Sequence, residues 1–255
     1  MKVLISDKLS QEGIDVLDNV DGIQVIYKTN LKPDDLKREL KDVEALIVRS
    51  STQVTREVIA EAKKLKIIGR AGIGVDNIDC SAATEHGVVV INTPSGNATT
   101  TAEHTIAMLM SLSRHIPQAD KSMHEGAWEK SKFTGTEITG KILGIFGFGN
   151  IGKIVADRAQ GLRMRVLVCD PFLNEQIAAK HGVELVSKDV LFKRSDYISV
   201  HVPLNDTTHN LIDRKTIQTM KNGVRIINCA RGGIVNESDL LDGLNSGKIA
   251  GAAID

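Results

Sequence analysis

The residues best suited to chemistry form a glycine-rich turn, Gly-Phe-Gly-Asn-Ile-Gly at 147–152, followed at position 170 by an aspartate. Gly147, Gly149 and Gly152 fit the G-x-G-x-x-G pattern. Its glycines permit a tight turn, let backbone N–H groups approach a pyrophosphate, and let a helix pack close to a strand. Asp170 could accept hydrogen bonds from both ribose hydroxyls of a dinucleotide and would repel a 2′-phosphate. This chemistry predicts a site for NAD rather than NADP.

The turn lies between a predicted strand and a predicted helix, which is the context that a dinucleotide site needs. Residues 142–146 are an apolar run of strand length, and apolar residues recur at helical spacing from Ile151 to Leu162. The N-terminus of that helix would offer unpaired N–H donors and the positive end of its dipole to phosphate groups. Without these flanking elements, the alternative would be an ordinary structural glycine turn.

Two arginines stand at the ends of other predicted strands, where ligands bind in parallel α/β sheets. The guanidinium of Arg231 could bind a carboxylate through two hydrogen bonds and stabilise negative charge that develops on a carbonyl oxygen. Arg49 precedes Ser50, Ser51 and Thr52, whose hydroxyl and backbone donors could complete a phosphate site. By spacing alone, Arg231 could equally be a surface or helix-cap arginine, and Arg49 part of a capping cluster.

The elements that must position these residues alternate between strand and helix in both halves of the chain. In the first half we predict strands at 3–6, 23–27, 45–48, 67–68 and 88–91, separated by helices. After a long helix at 100–115 and a polar segment at 117–140, we predict strands at 142–146, 165–169, 183–186, 197–201, 225–228 and 250–254. The prediction is an α/β protein with two doubly wound parallel-sheet domains. A flavodoxin-like substrate domain would occupy residues 1–94 and a Rossmann NAD-binding domain residues 95–255.

Composition excludes several classes of protein. The 255 residues are 42% hydrophobic, and 32 Lys and Arg balance 32 Asp and Glu, so nothing indicates a nucleic acid or an anionic membrane as partner. No apolar run reaches the roughly 18 residues of a membrane span, and the first apolar run is too short for a signal peptide. We therefore expect a cytoplasmic protein without a metal site. Cys80, Cys169 and Cys229 are scattered, so we expect reduced thiols, the last two in the core.

Longer motifs make the whole chain resemble the D-isomer-specific 2-hydroxyacid dehydrogenases. The matching segments are Leu46-Ile-Val-Arg-Ser50, Gly69-Arg-Ala-Gly-Ile-Gly-Val-Asp-Asn77, Asn92-Thr-Pro94, Ala102-Glu103, Gly135-Thr-Glu137, the glycine turn, His201-Val-Pro-Leu204 and Asn228-Cys-Ala-Arg-Gly-Gly-Ile-Val235. The resemblance implies NAD-dependent oxidation of the 2-hydroxyl of D-3-phosphoglycerate to 3-phosphohydroxypyruvate, the first step of serine biosynthesis. It also implies a homodimer, or a higher homo-oligomer, formed through the helix at 100–115 and the segment around Trp128.

The resemblance assigns roles to individual residues. It makes Arg231 the catalytic arginine that holds the substrate carboxylate and carbonyl oxygen. It places substrate against Arg49, Ser50, Gly72, Gly74 and Asn97. It places NAD against Ile73, Gly147, Gly149, Asn150, Ile151, Gly152, Asp170, His201, Val202, Pro203, Cys229, Ala230 and Asp255. His201 is thus expected beside the cofactor and not as the general acid, because the family uses a different histidine for proton transfer.

Two alternative functions stay open at this stage. A glyoxylate or hydroxypyruvate reductase of the same family would not need a phosphate site at Arg49. A non-catalytic, NAD-responsive binding protein would bind the cofactor without turnover. The catalytic glutamate and histidine of the family lie past the last predicted strand. We therefore expect the 255 residues to be a catalytically incomplete piece of a longer enzyme.

Overall fold

Both halves of the chain build a parallel β-sheet with helices, as the alternating apolar runs predict. The computed structural model describes residues Met1 to Asp255, which divide into one unit at Met1–Asn97 and a second at Ala98–Asp255. The division falls where a long helix begins at Ala98.

The first unit is a five-stranded parallel sheet. Its strands are β1 (Lys2–Ile5), β2 (Gln24–Tyr27), β3 (Ala45–Val48), β4 (Ile67–Arg70) and β5 (Val89–Asn92). Its helices are α1 (Gln11–Asp18), α2 (Pro33–Glu39), α3 (Arg56–Glu61) and α4 (Cys80–Glu85), with a 3-10 turn at Leu40–Asp42. The strand order β2-β1-β3-β4-β5 is that of flavodoxin-like sheets, which confirms the predicted architecture.

Local sequence explains where the helices of the first unit begin. Pro33 occupies the first turn of α2, where its missing N–H costs nothing, and Asp34 and Asp35 lie at the positive end of the helix. The carboxylate of Asp79 caps α4 by accepting a hydrogen bond from the Ala82 N–H at 2.7 Å. These residues therefore define where the preceding loops end. Because the strands are parallel, their carboxyl ends and the polar side chains that follow them lie on one edge of the sheet.

The second unit is a six-stranded parallel sheet. Its strands are β6 (Ile142–Phe146), β7 (Arg165–Cys169), β8 (Glu184–Leu185), β9 (Tyr197–Val200), β10 (Val224–Asn228) and β11 (Ile249–Ile254). Its helices are α5 (Ala98–Arg114), α6 (Ile116–His124), α7 (Asn150–Gly161), α8 (Glu175–Lys180), α9 (Lys188–Arg194), α10 (Arg214–Thr219) and α11 (Glu237–Asn245). The order β11-β10-β9-β6-β7-β8 is the doubly wound arrangement of a dinucleotide-binding domain, which confirms the predicted Rossmann fold.

Helices cover both faces of this second sheet. On one face Leu143 and Ile145 of β6 belong to a buried hydrophobic cluster that also contains residues of α5 and α7. On the other face α9 approaches β6 so closely that a Cβ on Gly144 would lie 2.6 Å from the Leu191 side chain and overlap the Ser195 hydroxyl. Glycine at position 144 is therefore a packing requirement, which the sequence did not reveal.

The segment between α5 and β6 is fixed to the end of the second sheet opposite the glycine turn. The Thr136 N–H donates to the Ser113 carbonyl at 2.8 Å, and the Arg225 guanidinium donates to the Thr136 hydroxyl at 3.0 Å. The hydroxyl groups of Ser113 and Tyr197 lie 2.9 Å apart, and both residues are fully buried. Because these contacts satisfy polar groups inside the unit, they hold the segment in place although most of it is polar.

The three cysteines carry no disulfide, as expected from their spacing. Cys229 is buried, and Cys169, which ends β7, is half-buried and packs against a hydrophobic core cluster. None of the helices combines the length and the apolar composition that crossing a membrane would require.

Candidate functional site

The glycine turn connects β6 to α7, and two of its three glycines are required by packing. Gly147 has a φ of +88°, and a Cβ there would lie 2.5 Å from the His201 carbonyl oxygen. A Cβ on Gly152 would overlap the Gly147 carbonyl oxygen, so α7 can begin this close to β6 only with glycine at that position. Gly149 differs, since a Cβ there would meet nothing within 4 Å. The space in front of Gly149 is therefore open for a ligand.

The N-terminus of α7 is suited to binding an anion. Gly149 is the N-cap residue, and no side chain caps the helix. The N–H groups of the first turn have no carbonyl partner within the helix, and the helix dipole adds positive potential at this end. Gly149 and Asn150 are exposed and Ile151 is half-buried, so a pyrophosphate can reach the helix end. The geometry fits the predicted NAD site.

Asp170 follows β7 and contacts the glycine turn directly. Its Oδ2 accepts a hydrogen bond from the Phe148 N–H at 2.6 Å, and its Oδ1 accepts one from the Phe172 N–H at 2.7 Å. Each carboxylate oxygen keeps a further lone pair, so both can also accept a ribose hydroxyl. Asp170 therefore shapes the turn in addition to any contact with ribose, a role that the spacing of the motif did not predict.

Phe172 is a candidate ligand contact that sequence reasoning missed. Its side chain is 94% exposed and lies two residues after Asp170. A large aromatic ring exposed to solvent beside the predicted ribose-binding residue can pack against a planar base, and such stacking is typically worth about 1–3 kcal/mol per base. The available signal was an aromatic residue directly after Asp-Pro at the end of a predicted strand.

His201 lies at the end of β9 and packs on the glycine turn. Its N–H donates to the Phe146 carbonyl at 2.7 Å, and its Nε2 lies 2.8 Å from the Ser199 hydroxyl. Its Nδ1 is buried without a hydrogen-bond partner in the protein. Burial lowers the pKa of His201 to about 4, so the ring is neutral near pH 7. A neutral, buried imidazole is poorly suited to supply a proton as a general acid.

The turn that carries Arg231 is held by Asn228, a residue that sequence reasoning did not single out. The Asn228 side chain is buried; its Nδ2 donates to the Arg231 carbonyl at 2.9 Å and its Oδ1 accepts from the Ala230 N–H at 3.0 Å. The half-buried Arg231 side chain donates to the Ala230 carbonyl at 2.7 Å. Burial raises the pKa of the neighbouring Cys229 thiol, which therefore stays protonated at neutral pH.

The second sheet brings its predicted ligand-binding residues to one edge, because the carboxyl ends of parallel strands coincide there. The exposed carboxylate of Asp255, after β11, lies 3.7 Å from His104 Nε2, and the Asp255 N–H donates to the Asn228 carbonyl at 3.0 Å. Half-buried Val202 and exposed Pro203 follow His201 at the same edge. No group of three or more His, Cys, Asp or Glu side chains is arranged to hold a metal ion.

The predicted substrate residues of the first unit follow β3 and β4. Arg49 and Ser50 are exposed, and Arg49 Nη1 donates to the Lys8 carbonyl at 3.4 Å. The Gly72 N–H already donates to the Arg70 carbonyl at 2.9 Å, so it is less available to a substrate carboxylate than the prediction assumed. Gly74 and Ile73 are half-buried in the same loop, and exposed Asn97 is the last residue of the unit.

Arg70 is a second basic residue of this edge that sequence reasoning left without a role. It ends β4, and its guanidinium lies against Gly72 so that a Cβ on Gly72 would overlap it. A side chain at position 72 would therefore require the flexible end of Arg70 to move. The signal was present in the Gly-Arg-Ala-Gly sequence at 69–72, where a charged residue interrupts a strand end.

Comparison with known proteins places these features in a family. Residues 106–255 match the family described as D-isomer specific 2-hydroxyacid dehydrogenase, NAD binding domain. D-3-phosphoglycerate dehydrogenase from Archaeoglobus fulgidus is 49% identical over 255 residues, and the enzyme of that name from Bacillus subtilis is 48% identical over 254. Each alignment covers 100% of this chain and 48% of the relative, so the chain spans about half the length of these curated relatives.

A solved structure agrees with the sequence relatives. D-lactate dehydrogenase from Aquifex aeolicus, complexed with NAD and lactic acid, is 29% identical to this chain and superposes with a TM-score of 0.87. The superposition covers 100% of this chain and 76% of that protein. The family description and this neighbour both support NAD as the cofactor of the second unit.

The packing of α7 predicts opposite effects for two glycines of the same helix. Gly152→Ala should lower the free energy of unfolding by about 1–3 kcal/mol, because the new methyl group displaces the Gly147 carbonyl. Gly161→Ala, whose Cβ would meet nothing within 4 Å, should raise that free energy by about 0.5–1 kcal/mol. Urea denaturation of both variants measures the difference, and equal stabilities would contradict the close packing.

The carboxylate of Asp170 predicts cofactor choice. NAD should bind at least about a hundredfold more tightly than NADP, because charge-assisted hydrogen bonds of roughly 1.5–3 kcal/mol each give way to repulsion of a phosphate. Asp170→Asn should shrink this ratio, since the amide oxygen can still accept the Phe148 N–H while the charge is lost. Titration calorimetry with both cofactors tests this, with the exposed Glu175→Gln on α8 as control. Equal affinities of the wild type would remove Asp170 from this role.

Proposed function

Because the chain belongs to the D-isomer-specific 2-hydroxyacid dehydrogenase family, we propose that the protein oxidises the 2-hydroxyl of D-3-phosphoglycerate to 3-phosphohydroxypyruvate with NAD. This reaction would be the first step of serine biosynthesis. One observation supports the choice of this substrate over others used within the family. Over the whole chain, 48–49% of residues are identical to D-3-phosphoglycerate dehydrogenases from an archaeon and a bacterium.

In this proposal the second unit holds the cofactor. The N-terminus of α7 binds the pyrophosphate through its backbone N–H groups, and Asp170 binds the ribose. The neighbouring strand ends, at His201–Pro203, Cys229–Ala230 and Asp255, line the rest of the site. Bound NAD supplies the hydride acceptor. The open space at Gly149 and the uncapped helix end support this assignment.

Two arginines bind the charged groups of the substrate. Arg231 holds the carboxylate with its planar guanidinium and stabilises negative charge on the developing carbonyl oxygen. The turn around Asn228 keeps the Arg231 backbone in place for this task. Arg49 and Ser50 bind the phosphate, for which a guanidinium together with hydroxyl and backbone donors is a common combination. Burial lowers the pKa of His201 to about 4, which makes it too weak a base to accept the hydroxyl proton, so in this proposal another group accepts that proton.

The proposed phosphate site predicts a substrate-selective effect of Arg49→Ala. In the full-length protein this change should lower kcat/KM for D-3-phosphoglycerate by a factor that corresponds to about 2–5 kcal/mol of lost transition-state stabilisation, because the phosphate loses its charged partner. The same change should barely affect D-glycerate, which has no phosphate. NADH formation with each acid gives the comparison, and Arg38→Ala on the exposed face of α2 is the matched control.

The outcomes of this assay separate the three functions. A phosphate preference that Arg49→Ala abolishes supports the proposal. Efficient turnover of unphosphorylated acids, unaffected by Arg49→Ala, indicates a glyoxylate or hydroxypyruvate reductase instead. Tight NAD binding without turnover of any 2-hydroxy acid indicates a non-catalytic binding protein. Equal losses for both substrates would point to a folding role for Arg49.

We also propose that the protein is a homodimer formed through α5, α6 and the segment around Trp128. Trp128 is 79% exposed, and Ile116 and Met123 of α6 are each 52% exposed. A tryptophan that is buried on association is a typical anchor of a protein–protein contact, and losing it usually costs at least about 2 kcal/mol of binding.

The proposed dimer predicts that Trp128→Ala shifts the equilibrium toward monomer. Sedimentation velocity at micromolar concentration measures the distribution of species in the wild type and the variant. Leu241→Ala, which removes an apolar side chain that is 57% exposed on α11, is the control and should leave the dimer intact. A wild type that sediments as a monomer would contradict the proposal.

A further inference from the structure

The loop after β3, residues Arg49 to Thr52, is held by a carboxylate from another strand end. Asp7 follows β1 and is only 5% exposed. Its Oδ2 accepts hydrogen bonds from the Arg49 N–H at 2.6 Å and the Thr52 N–H at 3.2 Å, and its Oδ1 accepts from the Thr52 hydroxyl at 2.9 Å. A buried carboxylate is costly unless hydrogen bonds compensate it, so three donors from one short loop are a specific arrangement.

Asn77 also binds the backbone of this loop. It lies in the segment after β4, and its Nδ2 donates to the Arg49 carbonyl at 2.8 Å and to the Thr52 carbonyl at 2.7 Å. Its own carbonyl accepts the N–H of Val54 at 2.7 Å. The backbone N–H and C=O groups of both Arg49 and Thr52 are therefore all bound by side chains from neighbouring strand ends.

The two residues between these fixed points face solvent. Ser50 and Ser51 are exposed, and no hydrogen bond within the protein uses their N–H groups. The loop thus has hydrogen-bonded ends and an exposed middle whose N–H donors have no partner within the protein. A surface loop of this length normally keeps considerable conformational freedom, which a ligand must remove when it binds. In this protein the hydrogen bonds from Asp7 and Asn77 already order the loop when the chain folds, before any ligand binds.

We propose that Asp7 and Asn77 are positioning residues for phosphate recognition, an inference that rests on the proposed function. They act through the loop and do not touch the substrate. By fixing the backbone at Arg49 and Thr52, they hold the Ser50 N–H and the base of the Arg49 side chain where a phosphate can meet both. Losing either residue frees the loop and weakens phosphate binding, while the groups that act on the 2-hydroxyl are unchanged.

The first experiment compares Asp7→Ala with Asp7→Asn in the full-length protein. Asp7→Ala should raise KM for D-3-phosphoglycerate at least about tenfold, with kcat within about threefold of wild type, because hydrogen bonds to a charged group are lost. Asp7→Asn should restore KM to within about threefold, because its amide oxygen accepts the two N–H groups and its amide NH₂ donates to the Thr52 hydroxyl. Asp21→Ala, at an exposed acid of the same unit, should leave both constants unchanged.

A merely structural role gives a different pattern. It lowers the melting temperature and the active fraction, so kcat falls for phosphorylated and unphosphorylated substrates alike while KM stays constant. Thr52→Val provides a milder test if Asp7→Ala does not fold, since it removes only the hydroxyl donor and keeps the loop backbone. It should raise KM for D-3-phosphoglycerate and leave the constants for D-glycerate unchanged.

The outcomes distinguish this inference from the proposed function. If wild type prefers the phosphorylated acid and Arg49→Ala abolishes that preference, the proposed function holds. Unchanged KM in Asp7→Ala and Thr52→Val would then overturn the positioning role alone. A wild type without phosphate preference overturns the proposed function and this inference together. Raised KM in Asp7→Ala, restored in Asp7→Asn, supports both.

Discussion

The hydrogen bond from the Phe148 N–H to the Asp170 carboxylate joins the two strand ends on which the cofactor site depends. It fixes the middle of the glycine turn relative to β7. The N-terminus of α7 and the side chain of Asp170 are therefore held in fixed positions relative to each other. A turn built mainly from glycine has unusual conformational freedom, and a charge-assisted bond at its centre offsets part of the entropy lost on ordering. The carboxylate that we propose for ribose recognition therefore also sets the geometry of the turn.

The same physical solution recurs at the other functional loops. Asn228 bonds the backbone of the Arg231 turn, while Asp7 and Asn77 bond the backbone of the Arg49 loop. At the carboxyl end of a strand the hydrogen bonds between strands end, but buried backbone N–H and C=O groups still need partners. A short polar side chain from the same turn or a neighbouring strand end meets this need. It also fixes the direction of the next side chains, which is what a binding site requires.

Sequence periodicity predicted the elements well but not the contacts between them. The bounds of β3, β6 and β7 agree to the residue, because each is a short apolar run with turn-forming residues on both sides. The roles of Gly144 and Asp7 were missed, since each depends on a partner more than forty residues away that no local pattern encodes. Asn228 was missed although its partners, Ala230 and Arg231, lie in the same turn. Asp170 was found through its motif, yet its bond to Phe148 belongs to tertiary structure.

His201 illustrates how far position in the fold determines chemistry. A histidine at a strand end of a dehydrogenase has the right residue type for proton transfer, and sequence alone could set it aside only by resemblance. In the structure its ring lies beside the buried Ser199 hydroxyl, and its carbonyl touches the space that a Gly147 side chain would occupy. Desolvation opposes the imidazolium, so the ring stays neutral and polar without becoming a source of protons. Packing against the glycine turn and acid catalysis are therefore competing demands on this histidine, and its burial satisfies the first.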